Sequence, residues 1–71
     1  MKTYDQAIAA IETDYPAVKA WLPVTAPGWS NPLRYIYFNG TNVIDSLTEE
    51  TYVPSDTDKE ATTWSDGPDK P

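Results

Sequence analysis

Apolar residues recur at Tyr4, Ala7, Ile8, Ile11, Tyr15 and Val18, at spacings of three and four. That periodicity is the buried stripe of an amphipathic helix. Thr3 with Gln6 forms a capping-box pattern at its start. Pro16 interrupts the stripe, because proline lacks a backbone donor and its ring clashes with the preceding turn. The pattern predicts one helix from about Tyr4 to Thr13. A second short turn is expected from about Pro16 to Trp21, capped by Asp14 or Tyr15.

Residues 22–32 hold three of the seven prolines and read as an extended connection, with a short edge strand around Val24. Proline excludes a central strand here. Trp29 sits in this loop and is either a plug for the core or a stacking surface. Leu33 to Phe38 then reads as a strand, Asn39-Gly40 as a tight hairpin turn, and Thr41 to Asp45 as the returning strand. A two-residue turn would set Phe38 opposite Thr41, Ile36 opposite Val43 and Arg34 opposite Asp45. Leu33, Tyr35, Tyr37, Asn42 and Ile44 would share the other face, so both faces carry apolar groups. An antiparallel sheet normally leaves one face in water. A helix can cover one face here, and the other calls for a subunit, a ligand or the Trp-bearing loop.

Ser46 to Thr51 reads as an acidic loop. Tyr52 and Val53 end a strand, Pro54 stops it, and Ser55 with Asp58 three residues on reads as a cap opening a short helix. Asp56 and Asp58 in its first turn complement the positive end of the helix dipole. Trp64 closes the segment, and Ser65 to Pro71 is expected to fray. The expected fold is α+β: an N-terminal helix on a small antiparallel sheet, with a short C-terminal helix. Residues 1–64 form one domain and 65–71 a disordered tail.

Composition narrows the options for stabilising so short a chain. Seventy-one residues bury a thin core, and small scaffolds usually add disulfides, a metal or a partner subunit. There is no Cys and no His, which leaves self-association. The absence of Cys fits a cytosolic setting. No apolar run is long enough to span a bilayer, and the N-terminus lacks a signal-peptide pattern. The net charge is −6. Up to Ile44 the acids and bases cancel, and the excess of carboxylates lies beyond it. Nucleic-acid binding through phosphates needs the opposite sign. The acidic part is either a solubilising surface or an imitation of nucleic acid toward a basic partner.

Candidate catalytic groups are few. A Ser or Thr nucleophile needs an adjacent base, and the lysines sit where solvated charges are expected. The carboxylate pairs Glu49/Glu50 and Asp56/Asp58 have ordinary explanations as loop and helix-start residues. Asp56, Asp58 and Glu60 alternate as in a calcium loop, without its Gly and distal Glu. No enzyme, cofactor or metal is therefore expected. Binding is better supported, because nine aromatics are a high load for this length and Trp, Tyr and Arg dominate binding hot spots. Arg34, the sole Arg, suits either a phosphate or a cross-hairpin pairing with Asp45.

A family resemblance joins these features. Pro54-Ser55-Asp56-Thr57-Asp58-Lys59-Glu60-Ala61-Thr62-Thr63-Trp64 resembles the closing motif of the small phage proteins of the Thoeris anti-defence two family. Ser55, Asp58, Ala61 and Trp64 fall on that motif, and Thr63 stands where Asp is usual. Gly28-Trp29-Ser30-Asn31 is similar to the family's Gly-Trp-Asn-Gly turn, which leads into an aromatic-rich strand comparable to Arg34–Phe38. Tyr4-Asp5-Gln6-Ala7-Ile8 is similar to its first helix.

The resemblance implies a sponge rather than an enzyme: a protein that binds a cyclic nucleotide immune messenger, a cyclic ADP-ribose isomer or a cyclic dinucleotide, without cleaving it. It implies a homo-oligomer, a tetramer in particular, acting in the host cytoplasm with pockets at subunit boundaries. The implied contacts are Trp29, Tyr35, Tyr37 and Trp64 stacking on bases, Arg34 near a phosphate, and Asn31, Ser55 and Thr63 beside them. The competing readings are an acidic nucleic-acid mimic that inhibits a host defence protein, a virion accessory protein without a ligand, and, remotely, a hydrolase.

Overall fold

The computed structural model describes residues 2–68. The chain runs α1 (Tyr4–Thr13), β1 (Lys19–Trp21), β2 (Ile36–Phe38), β3 (Val43–Asp45), β4 (Glu50–Thr51), α2 (Asp56–Glu60) and β5 (Ser65–Gly67). The strands form one antiparallel sheet in the order β4-β3-β2-β1-β5. This is the small α+β fold that the pattern of positions predicts.

Helix α1 starts as its sequence dictates. Thr3 Oγ1 accepts from Gln6 N at 3.3 Å, and Gln6 Oε1 accepts from Thr3 N at 3.0 Å. Both arms of the capping box are therefore closed, satisfying donors that the first turn leaves without helical partners. Ala7 and Ile11 are fully buried and meet Ala20, Leu22 and Ile36 in one core with Trp29, Tyr52 and Trp64. Ala20 pairs with Ile36 across β1 and β2, so these two mark the face of the sheet that the helix covers.

Several elements differ from the sequence reading. The turn expected over Pro16–Trp21 is instead a bend at residues 14–17, with Ala17 N donating to Asp14 O, followed by the inner strand β1. Val18, Ala20 and Leu22 alternate inward with Lys19 and Trp21 between them. This period of two was hidden because Val18 also fits the helical stripe. No strand forms at Val24, where two turns run through Pro23–Ala26 and Ala26–Trp29. The acidic segment 46–51 ends in β4, with Tyr52 N extending the ladder to Val43 O.

The hairpin register also shifts. Ile36 pairs with Asp45 and Phe38 with Val43, two positions from the register of a two-residue turn. The Asn39 side chain is the cause. Its Oδ1 accepts from Thr41 N at 2.8 Å and Asn42 N at 2.7 Å, and Asn39 N donates to Asn42 O. The turn therefore holds four residues, with Gly40 at φ +99°. A shift of two keeps every side chain on its expected face.

Ser65–Gly67 is the last correction within the described residues. Where fraying was expected, it forms edge strand β5 against β1. Lys2 and Trp64 make an adjacent bridge with reciprocal backbone bonds of 3.1 Å. Lys2 Nζ meets Asp66 Oδ2 at 2.8 Å, tying the N-terminus to β5. Residues 69–71 of the expected tail lie outside the described residues.

Candidate functional site

The structure divides the expected ligand contacts between two places. Trp29, Trp64, Arg34 and Ser55 gather around a buried carboxylate. Tyr35 and Tyr37 lie on the sheet face away from α1. Asn31 and Thr63 belong to neither group and are exposed. Asn31 Oδ1 closes a local turn by accepting from Leu33 N at 2.9 Å.

The buried group is centred on Asp58, which is only 4% exposed. Ser55 is the N-cap of α2, its Oγ accepting from Asp58 N at 3.1 Å as the sequence suggests. The Asp58 carboxylate does not return to the cap. It turns inward, where Oδ1 accepts from Trp29 Nε1 at 3.0 Å and Oδ2 from the Tyr52 hydroxyl at 2.6 Å. Trp64 Nε1 donates to the Asp58 carbonyl at 3.0 Å. The indoles of Trp29 and Trp64 meet edge to face, with centroids 5.4 Å apart. Trp29 is 0% and Trp64 1% exposed. Their rings are thus enclosed by the chain, a correction to the stacking role expected of them: Trp29 is the plug of its loop.

Arg34 completes this cluster from its rim. Its guanidinium carbon lies 4.2 Å from the centre of a Trp29 ring. Its Nη2 meets Asp45 Oδ2 at 2.7 Å, and its Nη1 donates to the Gly28 carbonyl at 2.6 Å. The pairing with Asp45 is the structural alternative that the sequence offered to phosphate binding. Here it fixes the Trp29 loop to β3, and a planar fork on an aromatic face suits that task better than a lysine could.

Electrostatics mark the same place. Burial pushes the Tyr52 phenol far above its ordinary value, and its hydrogen bond to Asp58 pushes it further, while Arg34 opposes. Tyr4, whose ring lies 5.8 Å from Trp64, is raised mainly by burial and then by the charges of Asp5, Asp58 and Glu12. Among the described residues, no buried side-chain nitrogen or oxygen lacks a hydrogen-bond partner. The cluster is closed and satisfied, which is the character of a structural polar core rather than of an open site.

The second group is only partly covered: Ile44 in it is buried, Lys19, Tyr35 and Tyr37 are half-buried, and Trp21 also packs against the core. In register, Lys19, Tyr37, Ile44 and Thr51 lie side by side across β1, β2, β3 and β4. The pleat places this row on the face opposite Ala20 and Ile36, and adds Trp21 and Tyr35 one pleat along. The rings of Tyr35 and Tyr37 are 6.0 Å apart, and Lys19 Nζ lies 5.5 Å from the Tyr35 ring centre. Lys19 also donates to the Pro68 carbonyl at 3.2 Å. The Tyr37 hydroxyl donates to Glu49 Oε2 at 2.7 Å, a bond that raises the Tyr37 phenol, with burial second. Leu33 and Val53, two positions beyond Tyr35 and Thr51, are 75% and 82% exposed. A half-exposed aromatic surface beside an ammonium group can hold a flat ring and an adjacent anion.

Sequence reasoning missed Lys19 and Trp21 here, and it missed the roles of Tyr52 and Asp58 in the core. Alternation over residues 18–22 was the signal for the first pair. The second pair depends on contacts with the distant Trp29, which no local pattern carries. Among the described residues, no three carboxylates gather in a way that could hold a metal ion, and no helix is long and apolar enough to cross a membrane. No protein-family model, curated protein or solved structure matches this chain.

Proposed function

We propose that the protein is a non-catalytic sponge that binds and sequesters a cyclic nucleotide messenger in the host cytoplasm, working as a small homo-oligomer, with a tetramer favoured. The ligand class is a cyclic ADP-ribose isomer or a cyclic dinucleotide. The closing motif from Pro54 to Trp64 and the Gly28-Trp29 turn motivate the reading, since they resemble the Thoeris anti-defence two family. The observation that carries it on this molecule is the outer sheet face, where Tyr35 and Tyr37 stand beside Lys19 and Trp21.

The contacts assigned to the ligand are accordingly Trp21, Tyr35, Tyr37 and Lys19. Trp29, Trp64, Ser55 and Arg34 support them through the fold, because their polar groups are occupied within the chain. A subunit laid on the same face would bury Leu33 and Val53 and enclose a ligand between copies. The acidic stretch beyond Ile44 favours mimicry of nucleic acid less than its composition suggests. Asp45 and Asp58 face inward, Asp66 pairs with Lys2, and Glu49 accepts from Tyr37.

Titration calorimetry with cyclic ADP-ribose isomers and cyclic dinucleotides tests the proposal. Binding of at least one, with the ligand recovered unchanged after heat denaturation, is expected. Tyr35→Ala and Tyr37→Ala should each abolish measurable binding while the fold persists. Absence of heat with every ligand, at a concentration where the native mass is oligomeric, would sink the reading.

A further inference from the structure

We infer that the Asn39-Gly40 turn is a self-modifying site, at which the folded protein converts its own asparagine to aspartate and isoaspartate. The reaction needs an amide carbonyl carbon that is electrophilic, a backbone nitrogen free to attack it, and room for the ring that forms. The turn supplies all three.

The Asn39 Oδ1 accepts two backbone N–H groups, from Thr41 at 2.8 Å and Asn42 at 2.7 Å. These donors fix the orientation of the amide. The oxygen must face both N–H groups, so the Nδ2 leaving group points away from them. They also sit where negative charge develops when the carbonyl is attacked. Fixed donors at such a position stabilise a tetrahedral oxyanion. The Gly40 N–H donates to no group among the described residues. Gly40 carries no side chain to crowd the ring, and none could be added cheaply. Its φ is +99°, and a Cβ there would come within 3.2 Å of the Tyr15 hydroxyl oxygen. Both Asn39 and Gly40 are exposed, so water reaches the turn.

In the first step the Gly40 nitrogen gives its proton to solvent base and bonds to Asn39 Cγ. Nδ2 takes up a proton from solvent, the Cγ–Nδ2 bond breaks and ammonia leaves, closing a succinimide. Water then adds to one of the two imide carbonyls. Opening on one side gives aspartate with the chain unchanged. Opening on the other gives isoaspartate, in which the backbone passes through the former side chain and gains one carbon. No oxidant, metal or enzyme is involved. The two other asparagines are internal controls. Asn31 precedes Pro32, which has no N–H to lose, and Asn42 precedes the β-branched Val43 within the β3 ladder.

The consequence falls on the hairpin that carries Tyr37. Aspartate keeps an oxygen acceptor for Thr41 and Asn42 and leaves the turn closed. Isoaspartate lengthens a four-residue turn and disturbs the adjoining pair Phe38–Val43. The modification therefore acts as a clock on that hairpin, whatever ligand its outer face takes.

The test incubates the intact chain slightly above neutral pH and maps peptides at intervals, with isoaspartate detected by enzymatic methylation. A parallel sample is held unfolded in urea. The expected result is conversion at Asn39 in the folded chain at least as fast as in urea, with Asn31 and Asn42 unchanged over the same period. The folded Asn39→Asp variant, which can lose only water, should release no ammonia and form isoaspartate far more slowly, and it should show the same unfolding transition as the unmodified protein. Slower conversion in the folded chain than in urea would overturn the inference, because the turn would then be shielding Asn39 rather than activating it. Equal conversion at Asn42 would overturn it as well.

Discussion

Two groups of aromatic residues of the same chemical kind occupy opposite sides of one small sheet. On the helix side, Trp29, Tyr52 and Trp64 are buried, and every ring donor reaches Asp58. On the outer side, Trp21, Tyr35 and Tyr37 are half-buried, and among the described residues the carboxylate that meets them is Glu49, which accepts from Tyr37 at the surface. Aromatic content alone does not separate a core from a binding surface. What separates them is the availability of a buried acceptor. An indole or phenol can enter a core only if its polar atom is satisfied there, and a single inward carboxylate satisfies two of the three. The side with that acceptor became the fold, and the side without it stayed open.

The sharpest way to break the comparison is to remove a ring from each side. Trp29→Ala should cost about 3–5 kcal/mol, and Trp64→Ala a similar amount. Domains of this kind have ~5–15 kcal/mol in total, so urea unfolding should show a large loss of midpoint or no folded state. Tyr35→Ala should change stability by about 1 kcal/mol or less. A mild effect of Trp29→Ala would mean that the rings on the helix side are not the structural ones.

Asp58→Asn comes next. The amide offers one acceptor oxygen where the carboxylate offers two, so either the Trp29 N–H or the Tyr52 hydroxyl loses its partner. Leaving a buried donor unsatisfied costs about 1–3 kcal/mol. The expected signature is a lower thermal midpoint, with faster exchange of the Trp29 indole N–H, read by NMR, where that donor is the one left unpaired, and continued protection of the Trp64 N–H, whose acceptor is the backbone carbonyl. Both indole signals staying protected, at unchanged stability, would remove Asp58 from the centre of the core.

How much of this contrast was legible in the sequence follows from the range of the forces involved. Helix α1 and its capping box were legible, because Thr3, Gln6 and the apolar stripe are local. The Ser55 cap was legible for the same reason. Strand β1 was not, since Val18 satisfied two periodicities at once. The hairpin was found, but its register was set by the Asn39 side chain, which outcompeted the two-residue turn by binding two backbone amides. Strand β5, Ser-Asp-Gly, has almost no strand propensity of its own. It is held by the ladder to β1 and by the Lys2–Asp66 pair, and propensity is a weak guide where cross-strand context decides. Of the expected ligand contacts, Tyr35 and Tyr37 were placed on a common face correctly. Trp29 and Asp58 lie 29 residues apart in sequence, and only the closed fold brings them together.

Alkaline pH should sharpen the comparison further. The folded protein holds the Tyr52 phenol far above its ordinary value of 10.0. The protonated phenol is therefore the form the fold favours. Its contribution is fully present below pH 10.0, the unfolded value, and is lost as pH rises above it. Stability measured by urea unfolding should fall on that alkaline limb. Tyr52→Phe should flatten the fall, at a cost of about 0.5–1.5 kcal/mol near neutrality. An unchanged alkaline slope in Tyr52→Phe would assign the titration to another group.

The smallest effect is expected on the open side. The Tyr37 phenol is raised first by its hydrogen bond to Glu49. Glu49→Gln should therefore bring Tyr37 down toward its ordinary 10.0, visible as an earlier tyrosinate absorbance change. Stability should move by less than about 0.5 kcal/mol, as for other exposed polar pairs. The same bond that titrates is then shown not to hold the fold together. If Glu49→Gln instead destabilised the protein as much as Asp58→Asn, the outer face would be a second structural surface. Tyr37 would then have to be counted with Trp29 and Tyr52 rather than against them.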